Sequence, residues 1–182
     1  FKKFVVKSFN LVGLEISKKS KNPKHLLLGL KNMPVRTIVD VGASTGRHFA
    51  SVVANFFPKA HIYCFEPLLK PFEQLKSWAD TQNGRVTLFD LALGDKEGKV
   101  KMFNHIDHSA SSSFLKTTEV CETLYPLTKK QTIQIVKMTT LDKAIASISK
   151  PLSLDILIKL DVQGYEDRVI RGGIKTFSKA KA

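Results

Sequence analysis

The chain has 182 residues, with 29 Lys and Arg against 16 Asp and Glu, for a formal net charge of +13. Apolar residues make up 43% and charged residues 25%, proportions that exclude a disordered or collagen-like chain and fit one domain with a sizeable core. Two cysteines, Cys64 and Cys121, exclude a disulfide scaffold and a four-thiolate zinc site, and no apolar run reaches the roughly 18–20 residues that span a bilayer. A cytoplasmic location is the expectation. The chain starts at Phe1 and ends on Ser178-Lys179-Ala180-Lys181-Ala182 without the character of a folded end-piece, which reads as a fragment.

Charge is concentrated at the start. Residues 1–36 carry nine basic side chains and a single acid, Glu15. Residues 1–34 therefore read as a basic arm, and a solvated arm is the plainest account of it. Val5, Phe9, Val12 and Ile16 fall at helical spacing among lysines, which predicts a short amphipathic helix. Weak contact with a membrane surface is the partner reading for that face. Lys7 and Glu15 interrupt the apolar stretch, so it is no signal peptide.

Residues 35–182 read as the folded domain. Thr37–Val41 is a near-continuous apolar run closed by Gly42, the pattern of a strand buried on both faces. Phe49, Val52, Val53 and Phe56 then mark one helix face, stopped by Pro58. Ile62–Phe65 predicts a second strand, Phe72, Leu75 and Ala79 a second helix ending before Asn83-Gly84, and Val86–Phe89 a third strand. This alternation predicts an α/β fold with right-handed crossovers. Asp95–Gly98 reads as a turn leading into a strand through Val100 and Phe103, a hairpin added at the sheet edge. Residues 105–130, rich in Ser, Thr and His, read as a long loop or short helix near the site. Thr132–Val136 alternates like a strand, Thr139 and Asp142 resemble a capping box, and Ile156–Asp161 is a further buried strand followed by a helix to Gly172-Gly173.

The sharpest chemical signal is Asp40-Val41-Gly42-Ala43-Ser44-Thr45-Gly46, between a strand and a helix. Gly42 and Gly46 allow a tight turn and close approach to a ligand. Glu66 ends the next strand, where an acid can accept two hydrogen bonds from a ribose diol. Ser44 occupies the place of the middle glycine of a dinucleotide fingerprint, which argues against a pyrophosphate cofactor. Asp40 suits a ligand with an amino group better than one with phosphates. A ribose with an amino-acid tail fits both acids, and that cofactor is S-adenosylmethionine.

Three blocks carry a family resemblance: Val39–Gly46; Phe65-Glu66-Pro67; and Ile158-Lys159-Leu160-Asp161-Val162-Gln163-Gly164-Tyr165-Glu166. Lesser agreement comes from Leu91–Asp95, Ser111–Phe114 and Thr140–Asp142. The chain resembles the FkbM family of class I S-adenosylmethionine-dependent methyltransferases over about residues 37–173. Gln163 stands where the family more often has Glu, so an acidic role there is not carried over. The resemblance implies a Rossmann-like, doubly wound, mostly parallel sheet of order 3-2-1-4-5-7-6, with the last strands missing here. The strand at 156–161 would then lie beside the first, leaving its other edge apolar and exposed. A poorly stable or inactive fragment of an active parent is the expectation.

The same resemblance implies methyl transfer to a hydroxyl of a sugar or similar small metabolite. Asp40, Gly42, Ala43, Ser44, Gly46, Glu66, Pro67 and Asp161 would bind the cofactor, with Asp90, Leu91 and Ala92 along its adenine. A hydroxyl acceptor benefits from a general base. Asp161 is the first choice by position; Glu166, His105 and His108 are the others. Asn104–His108 could supply metal ligands, but two His and one Asp in sequence rarely close a site, so no metal is expected. The rivals are a nucleic-acid methyltransferase, disfavoured because Asp161-Val162-Gln163-Gly164 is not an Asn/Asp-Pro-Pro-aromatic motif, and a non-catalytic nucleotide-binding or membrane- or nucleic-acid-docking module. Nucleic acid is not the expected partner.

Overall fold

The computed structural model describes residues 29–30, 32–149 and 151–182, so the amphipathic helix expected in the basic arm lies outside the described residues. Four apolar runs form the central sheet: β1 (Thr37–Val41), β2 (His61–Phe65), β3 (Val86–Phe89) and β7 (Ile156–Leu160). They pair in the order β3-β2-β1-β7, all parallel. Winding runs outward from β1 through β2 to β3, then returns to place β7 on the other flank of β1.

Period-two alternation sorts the strand side chains onto two faces. Ile38, Ile62, Cys64 and Leu157 meet α1 (Ala50–Phe56) and α2 (Leu69–Ala79) through Ala50, Val53, Ala54 and Leu75. Each such fully buried Leu, Ile or Val contributes about 1.5–3 kcal/mol. Cys64 has no exposed surface, and burial raises its thiol pKa well above the ordinary value. Helix α1 stops just before Phe57-Pro58 as the proline requires, and Asn83 closes the 3-10 turn after α2 in the left-handed region at φ 52°.

The opposite face buries Val39, Val41, Tyr63, Phe65 and Ile156 against α4 (Leu141–Ala146) and α5 (Glu166–Arg171), while Phe65 stacks on Phe89 with centroids 4.5 Å apart. The N-cap of α4 is Thr140, whose side chain accepts from the Lys143 N–H at 3.3 Å, and not Thr139 as the capping-box pattern suggested. Asp142 instead accepts from the Lys175 and Thr176 N–H groups and the Thr176 hydroxyl, which fixes α6 (Ile174–Phe177) on α4.

Two expectations about sheet edges are corrected. The strand after the Asp95–Gly98 turn, β5 (Gly98–His105), does not extend the central sheet. It pairs antiparallel with β6 (Gln131–Thr139), and β6 pairs parallel with the short β4 (Ala92–Leu93), making a separate three-stranded sheet. Its inner face packs Leu68, Ala92, Met102, Val136 and Met138 with Phe114 and Tyr165. The outer edge of β7 is also not bare. Residues 180–182 run parallel to it, with Lys181 N–H donating to Ile156 O at 2.9 Å and Ile158 N–H to Ala182 O at 2.8 Å. Between β5 and β6, residues 106–130 hold two 3-10 turns (Ser109–Ser111 and Pro126–Thr128) and α3 (Glu119–Leu124), so this stretch is mostly irregular.

Candidate functional site

The turn after β1 is shaped by contacts within the protein. Gly42 lies at φ 76°, and a Cβ there would sit 2.1 Å from the Asp161 carbonyl oxygen, so only glycine lets the loops after β1 and β7 touch. Gly46, at φ 74°, faces the Leu75 and Trp78 side chains of α2, where a Cβ would come within 3.0 Å of both. Four of the turn's amides are already used. Gly42 and Ala43 N–H donate to Phe65 O, Ser44 N–H to Glu66 Oε2 at 2.8 Å, and Gly46 N–H to Ala43 O. Such a turn offers no row of free N–H groups to a phosphate.

Beneath it lies a buried charge pair. Asp40, fully buried, is in register with Lys159 of β7, whose ammonium sits 3.0 Å from its Oδ1. Among the described residues neither Asp40 oxygen has a hydrogen bond beyond this contact. Burial raises the Asp40 pKa, and the Lys159 charge opposes that rise without cancelling it. The ammonium also donates to the Gly42 carbonyl at 2.8 Å and lies 3.6 Å from Asp161 Oδ2. One lysine thus ties the β1 tip, the glycine turn and the β7 tip together.

Glu66 closes the floor beside them. Its Oε1 accepts from Leu68 N–H at 2.9 Å and its Oε2 from Ser44 N–H. Burial pushes its pKa up to about 7, although both backbone hydrogen bonds pull the other way. Each carboxylate oxygen keeps a second lone pair for a ligand hydroxyl.

A crevice opens at the carboxyl ends of these strands. Of the residues singled out in the sequence, Gly42, Ser44, Glu66, Pro67, Leu91, Ala92 and Asp161 line it. Asp40 lies below the turn, Ala43 is buried, and Gly46 faces α2. Asp90 is exposed and outside the lining. Glu166 is engaged as a strap: Oε1 accepts from Val162 N–H at 3.0 Å and Oε2 from Gly164 N–H at 2.9 Å, holding the turn that contains Gln163 at φ 56°. His108 borders a separate, larger cavity, together with His105. Sequence reasoning gave no role to Lys159 or Met102. For Lys159 a signal existed: Asp40 and Lys159 are each the one charged residue, fourth of five, in otherwise apolar or neutral strands.

The room in the crevice is about 40 Å³, near the share of one water, and Met102, Ser109, Ala110, Ser112 and Phe114 complete its lining. Chemically it offers a buried carboxylate that can take hydroxyl donors, apolar walls at Leu91 and Ala92, and a second acid at Asp161. Among the described residues no group of three or more His, Cys, Asp or Glu is placed to hold a metal ion, and no helix is long and apolar enough to cross a membrane.

Comparison with known proteins agrees with this architecture. The 2-O-methyltransferase NoeI of Sinorhizobium fredii is 25% identical over 160 residues, a match covering 85% of this chain and 64% of NoeI. The crystal structure of methyltransferase FkbM from Methylobacillus flagellatus KT superposes with a TM-score of 0.50 at 14% identity, over 80% of this chain and 30% of that one, which is a likeness of fold. The chain therefore spans just under two thirds of the one protein and under a third of the other. The methyltransferase FkbM domain model matches residues 40–182, beginning at the buried aspartate of β1. On that match, this chain belongs to the FkbM methyltransferase family.

Proposed function

We propose that this chain binds S-adenosylmethionine and serves methyl transfer to a hydroxyl oxygen of a small molecule. The observation that carries the reading is convergence. The tips of β1, β2 and β7 and the segment after β3 line one crevice, at the point where the winding reverses. When bound, the cofactor supplies a methyl carbon already activated by a sulfonium.

The residues fit such a ligand. Glu66 takes the ribose diol, whose donated hydrogen bonds favour the charged carboxylate over the protonated form that burial favours. Leu91 and Ala92 lie along the adenine. Asp161 faces the amino-acid end, or holds the acceptor's proton. Asp40 acts through Lys159 as a positioning residue, since it lies under the turn. The engaged amides of residues 42–44 speak against a phosphate cofactor. Entry of a nucleoside requires the crevice to widen, because about 40 Å³ cannot hold one. Closing afterwards excludes water from the reacting atoms. A hydroxyl acceptor accords with the name of the relative NoeI, a 2-O-methyltransferase.

Calorimetry with S-adenosylmethionine tests this. Glu66→Ala is expected to lose about 1.5–3 kcal/mol, or roughly 10- to 150-fold in Kd. Unchanged affinity removes Glu66 from the site, and absence of binding by the unaltered chain removes the proposal.

A further inference from the structure

The second cavity carries a separate argument. It holds about 670 Å³, within the range of sites for small molecules. Leu115, Leu124, Tyr125 and Leu127 line it, and each of these is more than half exposed. An apolar recess with a few polar groups at one end is the usual setting for a bound small molecule.

Its inner end is polar and shares a wall with the crevice. Ser112 lines the crevice, whereas Ser111 and Ser113 line the cavity. Gln163 lines the cavity and donates to Oδ1 of Asp161, which lines the crevice. Ser113 donates its hydroxyl to Gln163 O at 2.8 Å, joining the two segments.

His105 lines the same cavity and is itself only 1% exposed. Its tautomer follows from its neighbours. Ser111 has one hydroxyl proton and donates it to His108 O at 2.8 Å. The 2.7 Å contact between Ser111 Oγ and His105 Nδ1 therefore needs Nδ1 to be the donor. Desolvation, aided by nearby His108 and opposed by Glu122, lowers the ring's pKa and keeps it neutral. Nε2 is then left with a lone pair, and among the described residues it has no hydrogen-bond partner. A buried acceptor without a donor in the protein calls for one from water or a ligand.

We infer that this cavity is the acceptor subsite, taking a molecule with an apolar body whose hydroxyl donates to His105 Nε2. The inference rests on the methyl-transfer reading for its purpose, but not for its test.

Octanol and methyl octyl ether are the probes, titrated into the whole chain without cofactor and followed by nitrogen NMR. The two share an alkyl chain, and only the alcohol has a hydrogen to donate. Expected are a saturable shift of the His105 Nε2 resonance with octanol and about three- to tenfold weaker binding of the ether. His105→Phe should erase the preference for the alcohol. Leu124→Asp, at a surface position, should weaken both probes and serves if the histidine variant does not fold. Equal affinity of alcohol and ether, no saturable shift at His105, or unaltered binding by Leu124→Asp would overturn the inference. Since cofactor calorimetry does not involve this cavity, either reading can fail while the other stands.

Discussion

Asp40 and Lys159 face each other across the parallel register of β1 and β7, carboxylate oxygen 3.0 Å from ammonium, in a place where the carboxylate has no solvent. Such a pair adds little net stability over apolar residues, because both charges lose water. Breaking it is another matter. Lys159→Met should cost about 3–5 kcal/mol by urea denaturation, since it strands the Asp40 charge. Adding Asp40→Leu should recover all but about 1 kcal/mol, the remainder being the lost hydrogen bond to Gly42 O. A double variant no more stable than Lys159→Met would show that the pair is not the source of the cost.

Gly42 and Gly84 have nearly the same backbone, φ 76° and 73°, in opposite surroundings. A Cβ at Gly42 meets the Asp161 carbonyl at 2.1 Å, while one at Gly84 meets nothing within 4 Å. Gly84→Ala should cost about 1–2 kcal/mol, the left-handed penalty alone. Gly42→Ala should exceed it by at least about 2 kcal/mol, because backbone must shift. Similar melting losses for the two would mean that the loops after β1 and β7 part easily.

Glu66 gives the fold a pH dependence of definite sign. Its pKa rises from 4.5 to about 7 on folding, so between those values the folded chain holds a proton that the unfolded chain has released. Stability from this group therefore falls as pH rises through the window, by about 3 kcal/mol at most. Glu66→Gln should flatten that part of the profile. Cofactor affinity should run the other way, tightening from about pH 5 to pH 7.5 as the diol draws the carboxylate into its charged form. Calorimetry in buffers of different ionisation enthalpy would detect the released proton; a Kd flat across that range would contradict the diol contact.

Glu166 is expected to act on the loop and not on a proton. With both oxygens on backbone N–H groups, Glu166→Ala should speed amide exchange at Val162 and Gly164 by about tenfold or more. Unchanged exchange at both amides would free Glu166 for the role of base.

Much of this fold is legible in sequence for a plain reason. Strands β1 and β2 are buried on both faces and β7 packs on both, so each is nearly continuously apolar, and α1 shows its buried face at helical spacing. Strand β4 has two residues and exists only by pairing with Met138 and Thr139, far along the chain, so no local pattern announces it. The register of β5 on β6 is equally non-local, which is why the sequence reads as a hairpin added at the sheet edge and not as a second sheet. Within the site, the blocks around Gly42 and Glu66 announce themselves as strand-end motifs. The salt bridge of Lys159 and the strap by Glu166 depend on which tips lie together, and that is knowledge of three dimensions.

Cys64 sits opposite Asp40 on β2, in the middle of the sheet and without any exposed surface. An alkylating reagent can reach its sulfur only after neighbouring strands separate, and its raised pKa leaves little thiolate to react. The half-buried Cys121, on α3, has no such shelter. The molecule thus carries its own slow and fast clocks: modification of one thiol times the opening of the sheet, and the other marks the pace of the reagent.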